Sequence, residues 1–287
     1  MIEKNWYDII LYFDVENGNP NGDPANNGTP RIDTSNHGIV TDVCIKSKSR
    51  QYISGISQSK YGYEMLMTPT KELQTLNDKF NDAYQHIGEK PQKKPDAGVL
   101  NQLQRYLCER YYDVRAFGAV MSTGDANCGT IKGPIQIGMA RSVSPVSINP
   151  LTITRGIKTN EERNLKNGDS ELGRKDVVEY GLYRMEGSII PSAAAKTGFS
   201  EDDRVLFLES LLNMIGGEDQ SAMRGIMNVQ KLIVLKHSGE RRSCPRTQIF
   251  KNVIAKQKTA MPASYDDYEI IINRDRIPED VEITELI

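Results

Sequence analysis

The chain has 287 residues, 38% of them hydrophobic, with 36 Lys and Arg against 38 Asp and Glu. That length buries roughly three quarters of the unfolded surface, enough for one large core with insertions, and the near-neutral balance argues against a uniformly basic nucleic-acid-binding domain. No apolar run reaches the roughly 18 residues of a membrane span, the start lacks a signal-peptide pattern, and four scattered cysteines with three scattered histidines form neither a CxxC pair nor a zinc spacing, so a cytoplasmic protein without cofactor or metal is expected.

Residues 7–15, YDIILYFDV, are a β-branched and aromatic run of strand length. Residues 17–40 follow as a loop rich in Asn, Gly, Pro and Asp, and a connection that long is either functional or disordered. Its glycines permit close backbone approach, while Asn and Asp close turns on their own backbone. Thr41 suits the N-cap of a helix reaching about residue 57, with Asp42 in its first turn. On that helix Lys46 and Arg50 share one face and Lys48 lies to the side. Thr68-Pro69 is placed to start a helix carrying Leu73, Leu76, Phe80, Tyr84 and Ile87, and a further helix carries Val99, Leu100, Leu103, Tyr106 and Leu107.

Strands are then expected at 114–121, 135–143, 180–190, 231–237 and 268–273. Ahead of the fourth of these, Ser200-x-x-Asp203 reads as a capping box opening a helix whose face is Val205, Leu206, Leu208, Leu211, Leu212 and Ile215, closed by Gly216. Residues 150–178 are polar and poor in large apolar groups, so they read as a projecting excursion. The reduced order is strand, helix, long insertion, strand, strand, helix, strand, which is the βαββαβ arrangement of ferredoxin-like and RNA-recognition folds in the α+β class.

Charge is segregated along this order. Residues 44–63 hold four bases and no acid, as do residues 126–160, and residues 231–258 hold eight bases against Glu240 alone. Residues 266–287 compensate with eight acids against Arg274 and Arg276. Local basic surfaces therefore coexist with a neutral total, although ordinary solvated faces produce the same counts.

Nine motifs in consistent order carry a likeness over about residues 7–237: GNPNGDP (18–24), TPRID (29–33), GIVTDVCIK (38–46), VRAFGAVMSTG (114–124), GPIQIGMARSVSPV (133–146), EYGLYRMEGSI (179–189), KTGFSEDD (196–203), SAMRG (221–225) and KLIVLKH (231–237). Together they resemble the backbone subunit of type I-C CRISPR Cascade complexes. The resemblance implies a hand-shaped protein: an RNA-recognition-like palm from 1–57, 113–149 and 179–287, helical fingers from 58–112, and a β-hairpin thumb at 150–178. It implies copies stacked along CRISPR guide RNA in a helical filament, with bases left free to pair with target DNA. Other Cascade subunits and a recruited helicase-nuclease are the further partners it implies, and the subunit itself is expected to be non-catalytic, with no membrane role.

Given that likeness, the expected RNA contacts are Arg31, Thr41, Lys46, Lys48, Arg50, Arg115, Phe117, Gly118, Lys132, Arg141 and Arg155. Phosphate contacts of this kind bind without reading sequence, as any-guide recognition requires. Several have a plainer alternative: Lys46, Lys48 and Arg50 as a solvated face, Arg31 as a tie of the long loop, Arg115 buried on a carboxylate, Phe117 as core, Gly118 as a turn. Arg141 and Arg155 suit guide contact or rim ion pairs equally, and His237 reads as a structural histidine.

Enzyme readings are weaker. Ser57-x-x-Lys60 lacks the partner motifs of SxxK acyl enzymes, and Asp14-x-Glu16 breaks calcium-loop spacing. The alternative function is target-RNA cleavage, since type III relatives use an aspartate between first strand and first helix and Asp23, Asp33 and Asp42 fall there. A carboxylate in that place positions a metal or assists 2'-hydroxyl attack, whereas turn closure explains Asp23 and Asp33 and a helix first turn explains Asp42. A filament protein without nucleic acid is the third class.

Overall fold

The alternation of one strand sets the layers. In β1 (Tyr7–Gly18), Ile9, Leu11, Phe13 and Val15 enter one apolar cluster while Ile10 and Tyr12 enter another, so both faces are buried and the run is apolar throughout. The structure, a computed structural model, describes residues 1–58, 60–68, 74–122, 124–155, 171–215, 221 and 223–287. After β1 come β2 (His37–Val40), α1 (Asp42–Ser57), α2 (Leu76–His86), α3 (Ala97–Arg110) and α4 (Tyr112–Phe117). Next are β3 (Gly118–Met121), β4 (Gly129–Lys132), β5 (Ile135–Ile137), β6 (Ala140–Pro145), β7 (Ile148–Arg155) and β8 (Glu171–Ile189). The chain closes with α5 (Pro191–Thr197), α6 (Glu201–Asn213), β9 (Ile226–His237), α7 (Arg246–Phe250), β10 (Val253–Gln257), β11 (Tyr268–Ile272) and β12 (Val281–Leu286).

The large sheet is antiparallel in the order β12-β9-β1-β8-β6-β2, with β5 and β7 also on β8. The chain is thus a mixed α+β protein. Helices α1 and α6 cover one face, joined by a 2.6 Å contact between the Ser49 and Ser210 hydroxyls, and Ile45, Ile53, Phe207 and Leu211 fill the core beneath. The other face lies under α7 and the β10–β11 ribbon, which bury Tyr12, Leu182 and Ile233 against Phe250, Val253 and Tyr268. A third cluster joins α2 and α3 to β3 through Phe80, Tyr84, Leu103, Leu107, Ala119 and Met121.

Capping chemistry matches the sequence at two helices. Thr41 accepts the Cys44 N–H at the head of α1, and Ser200 with Asp203 forms a reciprocal capping box on α6. Helix α2 instead begins at Leu76, where Thr75 and Asp78 make the capping box; the expected start at Pro69 lies outside the described residues, as does the expected stop at Gly216. The strand expected at 114–121 is corrected to helix α4 followed by β3, which pairs with β4 away from the large sheet. Burial drives that change, because the α4 turn puts Arg115 onto Asp203 at 2.8 Å. Expected strand 135–143 is two strands split at Gly138–Met139, and 268–273 joins the separate ribbon. Of the excursion at 150–178, residues 150–155 and 171–178 pair as β7 and β8; residues 156–170 lie outside the described residues.

Asp8 ties the C-terminal cover to the sheet. Fully buried on β1, it accepts bonds from Ser188 Oγ at 2.6 Å, Arg242 Nη2 at 2.6 Å and Nε at 2.9 Å, and His237 Nε2 at 3.0 Å. Since the Ser243 N–H donates to His237 Nδ1 at 3.0 Å, the ring proton sits on Nε2 and is spent on Asp8. The histidine is structural.

Candidate nucleic-acid interface

The loop after β1 is ordered by its own polar side chains. Its entry is a close backbone crossing: a Cβ at Gly18 would lie 1.7 Å from Arg224 O, and Gly225, at φ +67°, would place one 2.4 Å from Glu16 O. Asn19 N–H donates to Met223 O at 2.8 Å, and Arg224 Nη1 returns bonds to Asn19 O and Pro20 O at 3.1 and 3.0 Å. Asn21 Oδ1 accepts both the N–H and the hydroxyl of Thr41 at 3.0 Å, which fixes the loop to the head of α1. Asp23 caps the short Pro24–Asn26 turn and lies 3.3 Å from Arg31 Nη2. Asp33 Oδ1 accepts the N–H groups of Ser35 and His37 at 2.8 and 3.0 Å, while Oδ2 accepts from Arg141 Nε at 2.8 Å.

These ties build a groove. A cavity of about 260 Å³ is lined by Arg31, Thr41 and Met139 among others, and Met139 also borders a second cavity of about 630 Å³ that contains Arg141. Of the residues expected to bind RNA, Arg31 and Thr41 line the first of these cavities and Arg141 the second, tied to the loop through Asp33. Lys46 lies on α1, which Thr41 caps, paired with Asp42 at 2.9 Å. The Arg141 guanidinium, with the His37 N–H behind it, holds the Asp33 carboxyl down at about 2. Burial, then Arg141, lowers the His37 pKa, so its ring is more readily neutral than an exposed histidine.

Other expected contacts are interior. Arg50 donates to Asp113 at 2.9 Å and stacks its guanidinium 5.2 Å from the Phe117 ring centre; Phe117 is itself 8% exposed and edge-on to Phe207. Asp113 also accepts the N–H groups of Leu66 and Met67, so Arg50 anchors α1 to the strap before α2. Arg115 grips Asp203 with two bonds and donates to Cys108 O and Gly62 O at 2.7 and 3.0 Å. Gly118, at φ +77°, passes so close that a Cβ would lie 2.3 Å from Ile131 O. Lys48 is buried and engaged within the chain. Exposed Lys132 opens instead into a third cavity, beside Lys196. Arg155 ends β7 opposite Glu171.

Sequence reasoning missed Asn19, Asn21 and Met139. It also missed Arg224, whose place in SAMRG beside a glycine was the available signal. The sheet face that an RNA-recognition fold leaves open is closed here by the C-terminal ribbon, and Tyr12 is fully buried.

An antiparallel α+β sheet edged by a polar, loop-built groove with arginines on its rim defines the class. The chain belongs to the CRISPR-associated protein Cas7 family, whose model matches residues 5–273. A CRISPR-associated protein Cas7 of Haloferax volcanii is 22% identical over 222 residues, covering 71% of this chain and 62% of its own length; the chain therefore spans less than two thirds of that relative. Among solved structures, a chain of a CRISPR RNA-guided surveillance complex, pre-nicking, superposes with TM-score 0.53 at 13% identity over 85% of this chain and 80% of that one. A second CRISPR RNA-guided surveillance complex gives 0.50 at 13% over 85% and 72%. At that identity the likeness is one of fold.

Proposed function

We propose that this protein is a non-catalytic backbone subunit of a type I-C Cascade complex, polymerising along CRISPR guide RNA and presenting it to target DNA. Membership of the Cas7 family, the nine ordered motifs and the fold shared with chains of RNA-guided surveillance complexes support this reading. The observation that carries it is a pair of cavities sharing Met139, one lined by Arg31 and Thr41 at the head of the Lys46 helix and the other by Arg141. Arg31, Thr41, Lys46 and Arg141 are assigned to the sugar-phosphate strand, where charge and hydroxyls bind without reading bases. Arg50, Arg115, Phe117 and Gly118 are reassigned to holding the frame, because their polar groups are spent internally or their surfaces are buried.

In this reading the large sheet with α1 and α6 is the palm. Helices α2 and α3 of residues 58–112 are the fingers, packed on the β3–β4 ribbon of the palm, and the β7–β8 arm carries the thumb of residues 150–178. Further copies, other Cascade subunits and a recruited helicase-nuclease complete a cytoplasmic complex. Target-RNA cleavage gains no support from Asp33 or Asp23, since the first spends its oxygens on a turn and Arg141 and the second on a cap and Arg31. Co-expression with a CRISPR transcript tests the proposal: nuclease-resistant RNA should co-purify and raise the 260 to 280 nm absorbance ratio. Preparations identical with and without the transcript would reject it.

A further inference from the structure

The 630 Å³ cavity beyond Met139 has features the guide-binding reading does not use. It lies between the β6–β8 part of the sheet and the C-terminal α7–β10 segment, and is lined by Arg184, Arg246, Lys251 and Ala255 as well as Arg141. Strand β10 is paired on one side only, to β11. Asn273 N–H donates to Asn252 O and Lys258 N–H to Asp267 O, which brackets the ribbon. By antiparallel alternation, residues 252, 254, 256 and 258 turn their backbone groups toward β11, and Val253 and Ala255 turn theirs outward to the cavity. Arg184 Nη1 takes the outward Val253 carbonyl. The N–H and C=O of Ala255 have no partner among the described residues.

Charge and shape narrow the occupant. Four cations line the cavity against one acid, Glu186, which bridges Arg184 at 2.9 Å and Arg246 at 2.8 Å. Beside them Met139 is 60% and Ile254 42% exposed, and the Arg246 guanidinium lies 4.4 Å from the Phe250 ring centre. A phosphodiester backbone carries only acceptors, so it answers the outward Ala255 N–H but leaves the Ala255 carbonyl unmet. An extended peptide supplies the alternating donor and acceptor that an open strand edge requires, with acidic side chains for the arginines and apolar ones for Met139 and Ile254.

We propose that this cleft docks an extended, acidic segment of a partner protein as an added strand on β10. The probe is a fluorescein-labelled peptide of alternating Glu and Val, read by anisotropy on the full chain, with hydrogen exchange at the Ala255 amide. Controls are an alternating Lys and Val peptide, the Glu and Val peptide methylated on its edge-facing amides, and a short oligouridine. Binding should be specific to the unmethylated acidic peptide and should protect the Ala255 amide. Ala255→Pro, which removes the outward N–H and no ribbon hydrogen bond, and Arg246→Glu should each weaken it about tenfold or more. Guide RNA binding should be unchanged in both variants, so failure here is distinct from failure of the guide-binding reading. Retained exchange protection at Ile254 and Ile271 checks the ribbon, and if Ala255→Pro disturbs it Arg246→Glu decides. Equal binding of acidic and basic peptides, no binding of either, or oligouridine displacing the acidic peptide would overturn the proposal, the last outcome giving the cleft to nucleic acid.

Discussion

Replacing Arg115 by Ala separates a structural arginine from an RNA-contacting one. Its guanidinium makes two bonds to Asp203 at 2.8 and 2.9 Å and donates to Cys108 O and Gly62 O, in a side chain about 10% exposed against a carboxylate about 3% exposed. Removing one partner of such a pair costs about 3–5 kcal/mol, because the other charge stays buried. Asp203 retains the Ser200 N–H at 2.9 Å, which moves the expectation to the lower end, about 3 kcal/mol. For a chain this long, that is a fall in Tm of roughly 6–12 °C. Arg115→Lys should rescue little, since an ammonium cannot reproduce the two-pronged grip while reaching both carbonyls. Thermal unfolding by circular dichroism reads the loss, and RNA affinity measured well below Tm should match wild type. An unchanged Tm with lost RNA affinity would refute the reasoning and return Arg115 to the guide.

Other outcomes follow from the same geometry. Burial raises the Asp8 pKa, but bonds from His237, Arg242 and Ser188 outweigh it and hold the group at about 2. A depressed carboxylate stabilises above its unfolded value of 3.8 and loses that contribution as pH falls toward 2, so urea titrations should show roughly 2 kcal/mol of acid-dependent loss that Asp8→Asn removes. Gly18→Ala drives a methyl into Arg224 O and should cost at least about 2 kcal/mol, with exchange protection lost at the Asn19 amide. Asp33→Ala and Asp23→Ala should leave guide-directed DNA binding intact, and wild type should not degrade complementary RNA; metal-dependent cleavage abolished by either change would favour the ribonuclease alternative.

Local chemistry was legible in the sequence, and long-range pairing was not. Thr41 and the Ser200/Asp203 pair announce their helices because a cap acts within three residues. The six-residue α4 reads as strand by composition; what holds it helical is a carboxylate 88 positions away. Arg50 looked like a surface base because Asp113, its partner, lies across the fingers insertion. The loop of residues 17–40 was half legible: its Asx turns are local, but the Arg224 bonds that seat it come from beyond 200 residues downstream. Strand β12 carries Glu282, Thr284 and Glu285 on the sheet edge and so lacks the apolar density that marks a central strand.

The central claim is that the loop-built rim grips the sugar-phosphate strand. A salt titration of guide RNA binding, comparing wild type with the combined Arg31→Ala, Lys46→Ala and Arg141→Ala variant, tests it most directly. Each lost phosphate contact should reduce the log-log slope by about 0.7, so the variant should bind more weakly with a slope shallower by roughly 2. Identical affinity and slope, in a variant that melts like wild type, would contradict the account.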